Sequence, residues 1–304
     1  MAQELRNAYG ERLAELVKEN KDIVVLDADL TKSTKTNLAK EACPERHFNA
    51  GIAECNMMGM AAGLASSGKI PFASSFAVFA AGRPFEIIRN SICYPNLNVK
   101  ICATHAGLCV GEDGASHQAI EDIAIMRALP NMHVYVPCDQ YQTKALLDHV
   151  LTVKGPCYIR MGRGKLDDVY NENTIFDFNK VDILRKGKDI VLFATGLMVQ
   201  EALKAAEELD ATVVNVCSIK PIDSTNILKL LSEHKVAYSL EEHNIIGGLY
   251  SAISELKAPT TIATPLYPIG VNDKFGQSGK LNEVLDYYGL TSKHIVEKIK
   301  NNNK

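Results

Sequence analysis

Apolar residues along this chain fall into two alternating patterns. Short runs rich in Val, Ile and Leu predict strands, and longer stretches with apolar residues three or four positions apart predict helices. In the first half the predicted strands are 22–29, 99–107, 133–139 and 157–162, and the predicted helices are 53–68, 83–94 and 140–153. Nearly continuous apolar strands separated by helices are typical of a parallel sheet that is covered on both faces.

This alternation is interrupted around residues 165–180, which read KLDDVYNENTIFDFNK and are rich in Asn and Asp. We interpret the polar stretch as an interdomain connection. The pattern then resumes with predicted strands at 189–196, 211–218, 235–243 and 260–268 and predicted helices at 197–209, 224–234 and 247–256. The sequence therefore predicts an α/β protein of two doubly wound domains: a mostly parallel-sheet domain at 1–165, a linker at 166–180 and a smaller α/β domain at 181–304.

The composition excludes several function classes. The chain has 304 residues, of which 46% are hydrophobic and 23% charged, and a net charge of −3, as in an ordinary globular protein. Such a charge gives no general reason to bind nucleic acid or a membrane surface. No apolar run approaches the roughly 20 residues that span a bilayer, and the first helix carries both charge signs. We therefore expect neither nucleic acid nor membrane as a partner.

The cysteines indicate a reducing compartment. Eight of them are scattered along the chain without any C-x-x-C pair, most of them inside apolar stretches. This spacing is typical neither of a disulfide framework nor of a metal site. We expect free thiols, no metal ligands in this chain and a cytoplasmic location.

The densest group of reactive side chains is THAGLCVGEDGASHQAIED, residues 104–122, directly after a predicted strand. Ligands of open α/β sheets bind beyond the carboxyl ends of strands, so His105, Asp113 and His117 are candidate binding residues. The spacing of the two histidines fits no metal-binding signature. The structural alternative is a glycine-rich turn in which Asp113 and Ser116 cap the next helix, and it leaves both histidines unexplained.

Two further pairs of residues have both a structural and a functional interpretation. Phe76 and Phe79 are three positions apart on a predicted helix, which is typical of core residues but also suits stacking on a flat ring. Arg160 and Arg163 lie at the end of the predicted strand 157–162, where arginines bind phosphate or carboxylate or form a surface ion pair. Neither G-x-G-x-x-G nor G-x-x-x-x-G-K-[ST] is present, so common nucleotide-binding loops are not indicated.

Glu54 is the single carboxylate in the apolar, small-residue run GIAECNMMGMAAGLA, residues 51–65. A buried charge requires a partner, and the nearest basic residues in sequence, Arg46, His47 and Lys69, all lie outside the run. Glu54 therefore either lies on a solvated helix edge or has a partner that is not a neighbour in the sequence.

Three blocks of the sequence resemble the thiamine-diphosphate enzymes and, among them, the transketolases. They are RHFNAGIAECNMMGMAAGLA, GEDGASHQAIEDIAIMRALPNMHVYVPCD and EEHNIIGGL, and the similarity runs through nearly the whole chain. Only the C-terminal half of a transketolase is represented, namely the pyrimidine-binding and C-terminal domains. The Gly-Asp-Gly with a later Asn, which holds the diphosphate and its divalent metal in this family, is absent from this sequence.

The resemblance therefore implies one subunit of a split transketolase, active only together with a separate N-terminal subunit. Such an enzyme transfers a two-carbon ketol unit between sugar phosphates, for example from xylulose 5-phosphate to ribose 5-phosphate in the pentose phosphate pathway. The implied cofactor is thiamine diphosphate, with its pyrimidine end bound by this chain and Mg²⁺ or another divalent metal bound by the partner subunit. Self-association to an α2β2 heterotetramer is also implied.

The same resemblance assigns roles around the cofactor. Glu54 corresponds to the glutamate that hydrogen-bonds the ring nitrogen of the aminopyrimidine, and with His117 it is the expected catalytic residue. Phe76 and Phe79 correspond to aromatic residues around that ring. Asp29 falls in the ADL signature near the cofactor. On this basis the missing partner of Glu54 is a cofactor ring and not a residue of the protein.

On the substrate side, His117 corresponds to a histidine that hydrogen-bonds the donor ketose, and Asp113 to a carboxylate that contacts the acceptor 2-hydroxyl. His105 and Arg163 correspond to groups at the sugar-phosphate end. Arg160 aligns with an arginine that faces phosphate in deoxyxylulose-phosphate synthases. These assignments follow from the resemblance alone.

Some residues depart from the family pattern, and other functions remain open. Cys55 replaces a common glutamine, Tyr250 replaces a small residue, and no tyrosine follows Phe79 in AAGRPFE. The beta subunit of a 2-oxoacid dehydrogenase and a deoxyxylulose-phosphate synthase share the glutamate, although His105 and GEDGASHQ favour a polyhydroxylated, phosphorylated substrate. A non-catalytic regulatory subunit is a further alternative, which the presence of Glu54 and both histidines disfavours.

Overall fold

The computed structural model describes residues 2–302, which form two α/β units. The strands are β1 (Gln3–Glu4), β2 (Ile23–Asp27), β3 (His47–Asn49), β4 (Ile70–Phe76), β5 (Lys100–Thr104), β6 (His133–Tyr135), β7 (Cys157–Arg160), β8 (Lys165–Leu166), β9 (Asp182–Arg185), β10 (Ile190–Ala194), β11 (Thr212–Asn215), β12 (Ser218–Lys220), β13 (Val236–Asn244) and β14 (Leu266–Val271). The helices are α1 (Leu5–Glu19), α2 (Thr31–Thr34), α3 (Asn37–Ala42), α4 (Glu54–Ser66), α5 (Phe85–Ile87), α6 (Asp122–Arg127), α7 (Gln140–Thr152), α8 (Met198–Leu209), α9 (Ser224–Glu233), α10 (Leu249–Lys257), α11 (Leu281–Tyr287) and α12 (Ser292–Asn302). Short 3₁₀ segments lie at Pro44–Arg46 and Leu108–Asp113, and π-helical segments at Val78–Gly82 and Ile88–Cys93.

The first unit is built on a seven-stranded sheet with the order β12-β6-β7-β5-β4-β2-β3. Its strands are parallel except for β12, which is antiparallel to β6. Every residue of β2 and β5 is buried, as expected when helices cover both faces. The prediction of an α/β fold with mostly parallel sheets is confirmed.

Helix α1 packs against this sheet because its apolar residues recur every four positions. Leu5, Tyr9 and Leu13 are all buried, and the Tyr9 hydroxyl is 2.6 Å from the hydroxyl of Ser74 on β4. Burial of a side chain of this size contributes roughly 1.5–3 kcal/mol, so packing rather than intrinsic propensity stabilises the helix. Among residues 2–302, no helix is both long enough and apolar enough to span a bilayer.

The second unit is built on a five-stranded sheet with the order β14-β13-β10-β11-β9, parallel except for β9. The predicted strand 211–218 contains β11, which lies in this sheet, and only the first residue of β12, which joins the first sheet. The predicted strand 260–268 was wrong in its bounds, because β14 begins only at Leu266. The Thr264 hydroxyl instead donates to the carbonyls of Leu231 in the last turn of α9 and of His234 directly after it, which holds this β-branched segment outside the sheet.

The two units share more than a connecting segment. Strand β12 places residues of the second unit at the edge of the first unit's sheet. Residues 167–181 contain no helix or strand, but Phe178 packs 4.9 Å from the ring of His149 on α7, and Phe176 stacks on Phe178 at 5.6 Å. The connecting segment is therefore packed against α7 of the first unit.

Candidate active site

The carboxyl ends of the central strands of the first sheet lie together at one edge. Phe76 ends β4, Thr104 ends β5 with His105 directly after it, and Arg160 ends β7. Glu54 is the first residue of α4, the helix that leads from β3 to β4. In open parallel sheets this edge is where ligands bind, so the fold brings the sequence candidates to the expected place.

Glu54 has a protein partner that is distant in the sequence. The Nη1 atom of Arg83 lies 2.9 Å from both Oε1 and Oε2 of Glu54. The Glu54 side chain is 4% exposed and that of Arg83 is 48% exposed, so the carboxylate is inside and the guanidinium is at the surface. The expectation that Glu54 has no partner in the protein was wrong, because α4 and the segment before Arg83 become neighbours only in the fold. The burial of Glu54 also excludes the solvated helix edge.

The two phenylalanines and the two histidines form one aromatic cluster. Phe76 stacks on His105 with ring centroids 3.8 Å apart, and Phe79 meets His117 edge-on at 5.3 Å. The prediction that both phenylalanines lie on a helix was wrong, because Phe76 is the last residue of β4 and only Phe79 lies in a π-helical segment. The turn between them leaves the rings 6.0 Å apart and within 14° of parallel. Arg83 lies over Phe79, with Cζ 4.1 Å from the ring centroid.

His105 is a neutral hydrogen-bonding group in this cluster. Burial, together with the nearby positive charges of Arg6 and Arg163, lowers its pKa to about 3. Its Nδ1 lies 2.9 Å from the Thr104 hydroxyl and its Nε2 lies 3.5 Å from Nη1 of Arg6. A neutral imidazole offers one donor and one acceptor nitrogen, so His105 can bind a substrate oxygen without carrying charge at neutral pH.

Arg6 is a residue of the site that the sequence analysis missed. It lies on α1, and its Nη1 donates to the Ser33 carbonyl at 3.1 Å besides facing His105. Its Nε pairs with Glu4 at 2.7 Å. An arginine on an amphipathic helix is ordinary in sequence, and only the packing of α1 beside the end of β5 shows that this one reaches the site.

The loop between β5 and α6 carries the remaining candidates. Asp113 Oδ2 lies 3.6 Å from Nη1 of Arg163, which follows β7. The Ser116 hydroxyl lies 2.9 Å from Nδ1 of His117 and caps no helix, since α6 begins only at Asp122. Across residues 2–302, no group of three or more His, Cys, Asp or Glu side chains is arranged to hold a metal ion. The loop therefore presents polar groups beside the aromatic cluster.

Arg160 is committed to contacts inside the protein. Its side chain is 3% exposed, and Nε donates to both carboxylate oxygens of Asp122 at 3.1 and 2.9 Å. Its Nη2 donates to the carbonyls of Ala119 and Glu242, each at 3.1 Å. The expectation that Arg160 binds a substrate phosphate is therefore corrected, because these contacts inside the protein already use its guanidinium group. A buried guanidinium needs a carboxylate partner, and Asp122 supplies it.

Asp29 lies just beyond β2 with its backbone in the left-handed region, at φ +60°, and it is exposed. Its N–H donates to Oδ1 of Asn49 at 3.1 Å. The neighbouring Asp27 is fully buried, with Nε2 of His47 at 2.7 Å and the Thr36 hydroxyl at 2.9 Å. The ADL segment is therefore a well-defined turn that presents Asp29 to solvent near the same edge of the sheet.

Two buried carboxyl groups from the second unit lie at the end of β13. Burial raises the pKa of Glu241 and of Glu242 to about 7. Glu241 accepts from the N–H groups of Leu249 and Tyr250 at the start of α10, at 2.7 and 2.9 Å. Glu242 accepts from the N–H of Cys109 at 3.1 Å. Glu242 thus connects the second unit to the loop that carries the candidate substrate residues.

Comparison with known proteins identifies the family of both units. A family model described as the pyrimidine-binding domain of transketolase matches residues 1–168, and one described as the C-terminal domain of transketolase matches residues 179–295. The chain belongs to the transketolase family. It is accordingly a member of a family of thiamine-diphosphate-dependent transferases, as the sequence resemblance implied.

Transketolase relatives resemble this chain over almost its whole length. A Methanocaldococcus jannaschii protein, provisionally named a transketolase C-terminal section, is 51% identical over 302 residues, which are 97% of this chain and 95% of the relative. The 6-deoxy-6-sulfo-D-fructose transketolase subunit of a Clostridium species is 39% identical over 96% of this chain and 92% of its own length. A solved structure described as a split-gene transketolase, inactive beta4 tetramer, superimposes with a TM-score of 0.89 at 48% identity over 99% of this chain and 98% of that one.

Proposed function

We propose that this chain is the C-terminal subunit of a thiamine-diphosphate-dependent transketolase. Together with a separate N-terminal subunit it transfers a two-carbon ketol unit from a ketose phosphate to an aldose phosphate. Xylulose 5-phosphate and ribose 5-phosphate are the proposed donor and acceptor, with the pentose phosphate pathway and the cytoplasm as the proposed setting. The observation that carries this proposal is a buried glutamate beside two nearly parallel phenylalanine rings at the ligand-binding edge of a parallel sheet.

The residues present suit the aminopyrimidine end of the cofactor. A carboxylate has about four acceptor positions, and Arg83 takes one on each oxygen of Glu54, so acceptor capacity remains for a ring nitrogen. Phe76 and Phe79 are oriented within 14° of each other, which suits contact with a flat heterocycle. We therefore assign Glu54, Phe76 and Phe79 to the pyrimidine, with Asp29 close by.

Each residue of the site then has a separate task. The bound cofactor supplies the nucleophilic carbon for breaking and forming the carbon–carbon bond. Glu54 shares a proton with the pyrimidine nitrogen from a position that its helix and Arg83 hold fixed. His117, edge-on to Phe79, hydrogen-bonds the donor ketose, and Asp113 accepts a hydrogen bond from an acceptor hydroxyl. These residues accelerate the reaction by orienting the reactants, which in well-ordered sites lowers the activation barrier by roughly 7–11 kcal/mol.

The phosphate end of the sugar is assigned to Arg6, His105 and Arg163. Arg6 and Arg163 are the positive charges that face His105. Guanidinium groups bind phosphate through charge-assisted hydrogen bonds, and the neutral His105, which lies against Arg6, adds no charge of its own. Arg160 is left out of this assignment because Asp122 already occupies it.

A partner subunit is part of the proposal. The family's diphosphate-binding Gly-Asp-Gly is absent from the sequence, so this chain offers the pyrimidine end alone. The similar split-gene structure is described as an inactive tetramer of beta chains, which supports a requirement for a second kind of chain here. We propose an α2β2 assembly in which the N-terminal subunit holds Mg²⁺ and the diphosphate.

The relatives of this chain are named for more than one sugar. One relative that is 39% identical is named for 6-deoxy-6-sulfo-D-fructose, so members of this group use more than one ketose. The Arg6–His105–Arg163 cluster supports an anionic substituent at the far end of the sugar, which both phosphate and sulfonate provide.

The test is co-expression of this chain with a transketolase N-terminal subunit that carries the diphosphate domain. The complex is assayed with thiamine diphosphate, Mg²⁺, xylulose 5-phosphate and ribose 5-phosphate. We expect activity from the complex and none from this chain alone. Activity from the isolated chain would contradict the split-subunit proposal.

Within that complex, Glu54→Gln should reduce turnover about 100-fold or more without unfolding the chain, because glutamine cannot exchange a proton with the ring. The matched control is Glu45→Gln, which alters an exposed glutamate on the same unit. Near-normal turnover in the Glu54 variant would remove its assigned role.

A further inference from the structure

A loop of the second unit rests on the loop that carries the substrate candidates. We call residues 272–280 the clamp loop and residues 105–118 the substrate loop. The side chain of Gln118 is buried, and its Nε2 donates to the Leu108 carbonyl at 3.2 Å and to the Gln277 carbonyl at 3.1 Å. One amide therefore ties the substrate loop both to itself and to the clamp loop.

The clamp loop is supported from behind. The Tyr288 hydroxyl, just after α11, donates to the carbonyl of Phe275 at 2.6 Å. At the start of α11, the backbone N–H of Lys280 donates to Glu283 at 3.2 Å. These contacts attach both ends of the segment facing Gln118 to α11, so the clamp loop can act as a fixed surface.

The two loops approach so closely that glycine is needed where they meet. A Cβ atom on Gly276 would lie 1.8 Å from Oε1 of Gln118, and a Cβ atom on Gly114 would lie 2.4 Å from the Ser278 hydroxyl. Separations this short are impossible for real atoms, so a larger residue at either position would displace the buried Gln118 amide or the Ser278 hydroxyl. The two units therefore fit together at Gly114 and Gly276 because neither residue has a side chain.

Asp113 lies between two of these contact points. Gly111 and Gly114 on either side of it have φ angles of +75° and +74°, a conformation that favours glycine. A Cβ atom on Gly111 would lie 3.2 Å from the carbonyl oxygen of Gly279. The backbone on both sides of Asp113 therefore packs against the clamp loop. This contact determines where the Asp113 carboxylate lies.

We propose that the clamp loop positions the substrate loop, so that the second domain controls how the acceptor sugar is bound. The inference rests on the proposed function, since the acceptor contact of Asp113 belongs to that proposal. Asp113 and His117 touch substrate, whereas Gly276 and Gln118 act through them as positioning residues. A displacement of about 1 Å in such a site can lower the rate by about 100-fold, so a loop contact is able to govern acceptor use.

The test is Gly276→Ala in the complex with the N-terminal subunit. The backbone of Gly276 lies outside the left-handed region, so alanine adds a steric contact with Gln118 and little backbone strain. We expect the KM for the acceptor aldose to rise about 10- to 100-fold, with a smaller change in kcat at saturating acceptor. Adding Gln118→Asn, which shortens that side chain by one methylene, should recover part of the lost affinity, because it relieves the clash although it weakens the bond to Gln277.

A control variant and a second measurement distinguish a failure of the clamp-loop proposal from a failure of the proposed function. Asn272→Ala changes an exposed residue of the clamp loop and should behave as wild type. Amide hydrogen exchange on the isolated chain should be faster across the substrate loop in Gly276→Ala than in Asn272→Ala, whatever reaction the complex catalyses. An inactive wild-type complex would refute the proposed function and leave the exchange result to decide the positioning role. An active complex with unchanged acceptor KM and unchanged exchange in Gly276→Ala would overturn the clamp.

If Gly276→Ala lowers the unfolding midpoint, Gln118→Asn alone takes its place, because it weakens the tie between the loops without adding atoms. An acceptor KM equal to that of wild type in this variant would likewise overturn the inference. A raised KM with an unchanged unfolding midpoint would support it.

Discussion

The buried ion pair between Asp122 and Arg160 gives a sharp test of how the two units are held together. Asp122 is 1% exposed and Arg160 is 3% exposed, and the Tyr158 hydroxyl also donates to Asp122 at 2.8 Å. Through its bond to the Glu242 carbonyl, Arg160 spans from the first unit to the second. The perturbation is Asp122→Asn, which keeps the shape of the side chain and removes its charge.

The expected magnitude follows from burial. Removing one partner of a buried pair leaves an uncompensated charge away from water and typically costs about 3–5 kcal/mol. Asparagine still offers one oxygen to the guanidinium, so we expect a loss of about 3 kcal/mol in the free energy of unfolding. The matched control is Asp148→Asn in the Arg12–Asp148 pair, in which Asp148 is 50% exposed. Exposed pairs contribute about 0–1 kcal/mol.

Both variants are measured on the chain by urea unfolding at neutral pH. The chain has no tryptophan, so the transition is followed by far-ultraviolet circular dichroism. Equal dependence on urea in wild type and variants shows that the same transition is compared. A loss for Asp122→Asn no larger than that of the control would refute the reasoning that the buried ion pair holding Arg160 stabilises the fold.

Two further predictions concern the buried carboxyl groups and the phosphate end. Because burial raises the pKa of Glu242 to about 7 in the folded chain, folding favours its protonated form, and the group's contribution to stability falls as the pH rises from about 4.5 to about 7. Glu242→Gln cannot ionise, so its unfolding free energy relative to wild type should rise across that interval in urea titrations. A difference that does not vary with pH would contradict this. Arg6→Ala should raise the KM for a phosphorylated acceptor by about 10- to 100-fold, the equivalent of one charge-assisted hydrogen bond, in steady-state assays of the complex. The KM for an unphosphorylated aldose should change little, and an equal rise for both sugars would argue against a phosphate contact.

The fold class was predictable because burial patterns are local. Runs such as 22–29 and 99–107 are mostly apolar, and they became β2 and β5 of a covered parallel sheet. Which sheet a strand joins, in contrast, does not depend on its local sequence. Nothing in Ser218–Lys220 distinguishes it from the preceding β11, and its pairing with β6 depends on where the second unit packs.

The site was predictable only where residue type and chemistry coincide. Glu54 could be identified as a candidate because a carboxylate in an apolar run is unusual, and in the structure it lies at the ligand-binding edge. Its partner Arg83, in a turn, and the site residue Arg6, on α1, could not be identified, since surface arginines are common and contacts across the fold have no sequence signature. Arg160 shows the converse case. Arg160 ends β7 and Arg163 follows it, so the sequence predicts the same role for both, but Asp122 takes Arg160 out of the site.

The crossing strand β12 has a consequence for how the chain is synthesised. During translation the first unit emerges with β6 as an unpaired edge, and that edge stays open until residues 218–220 have left the ribosome and paired with it. Open strand edges are templates for association with other chains. A fragment that ends at the domain boundary would keep this edge permanently open, so we expect the pyrimidine-binding unit expressed alone to aggregate, whereas the full chain folds to a soluble product.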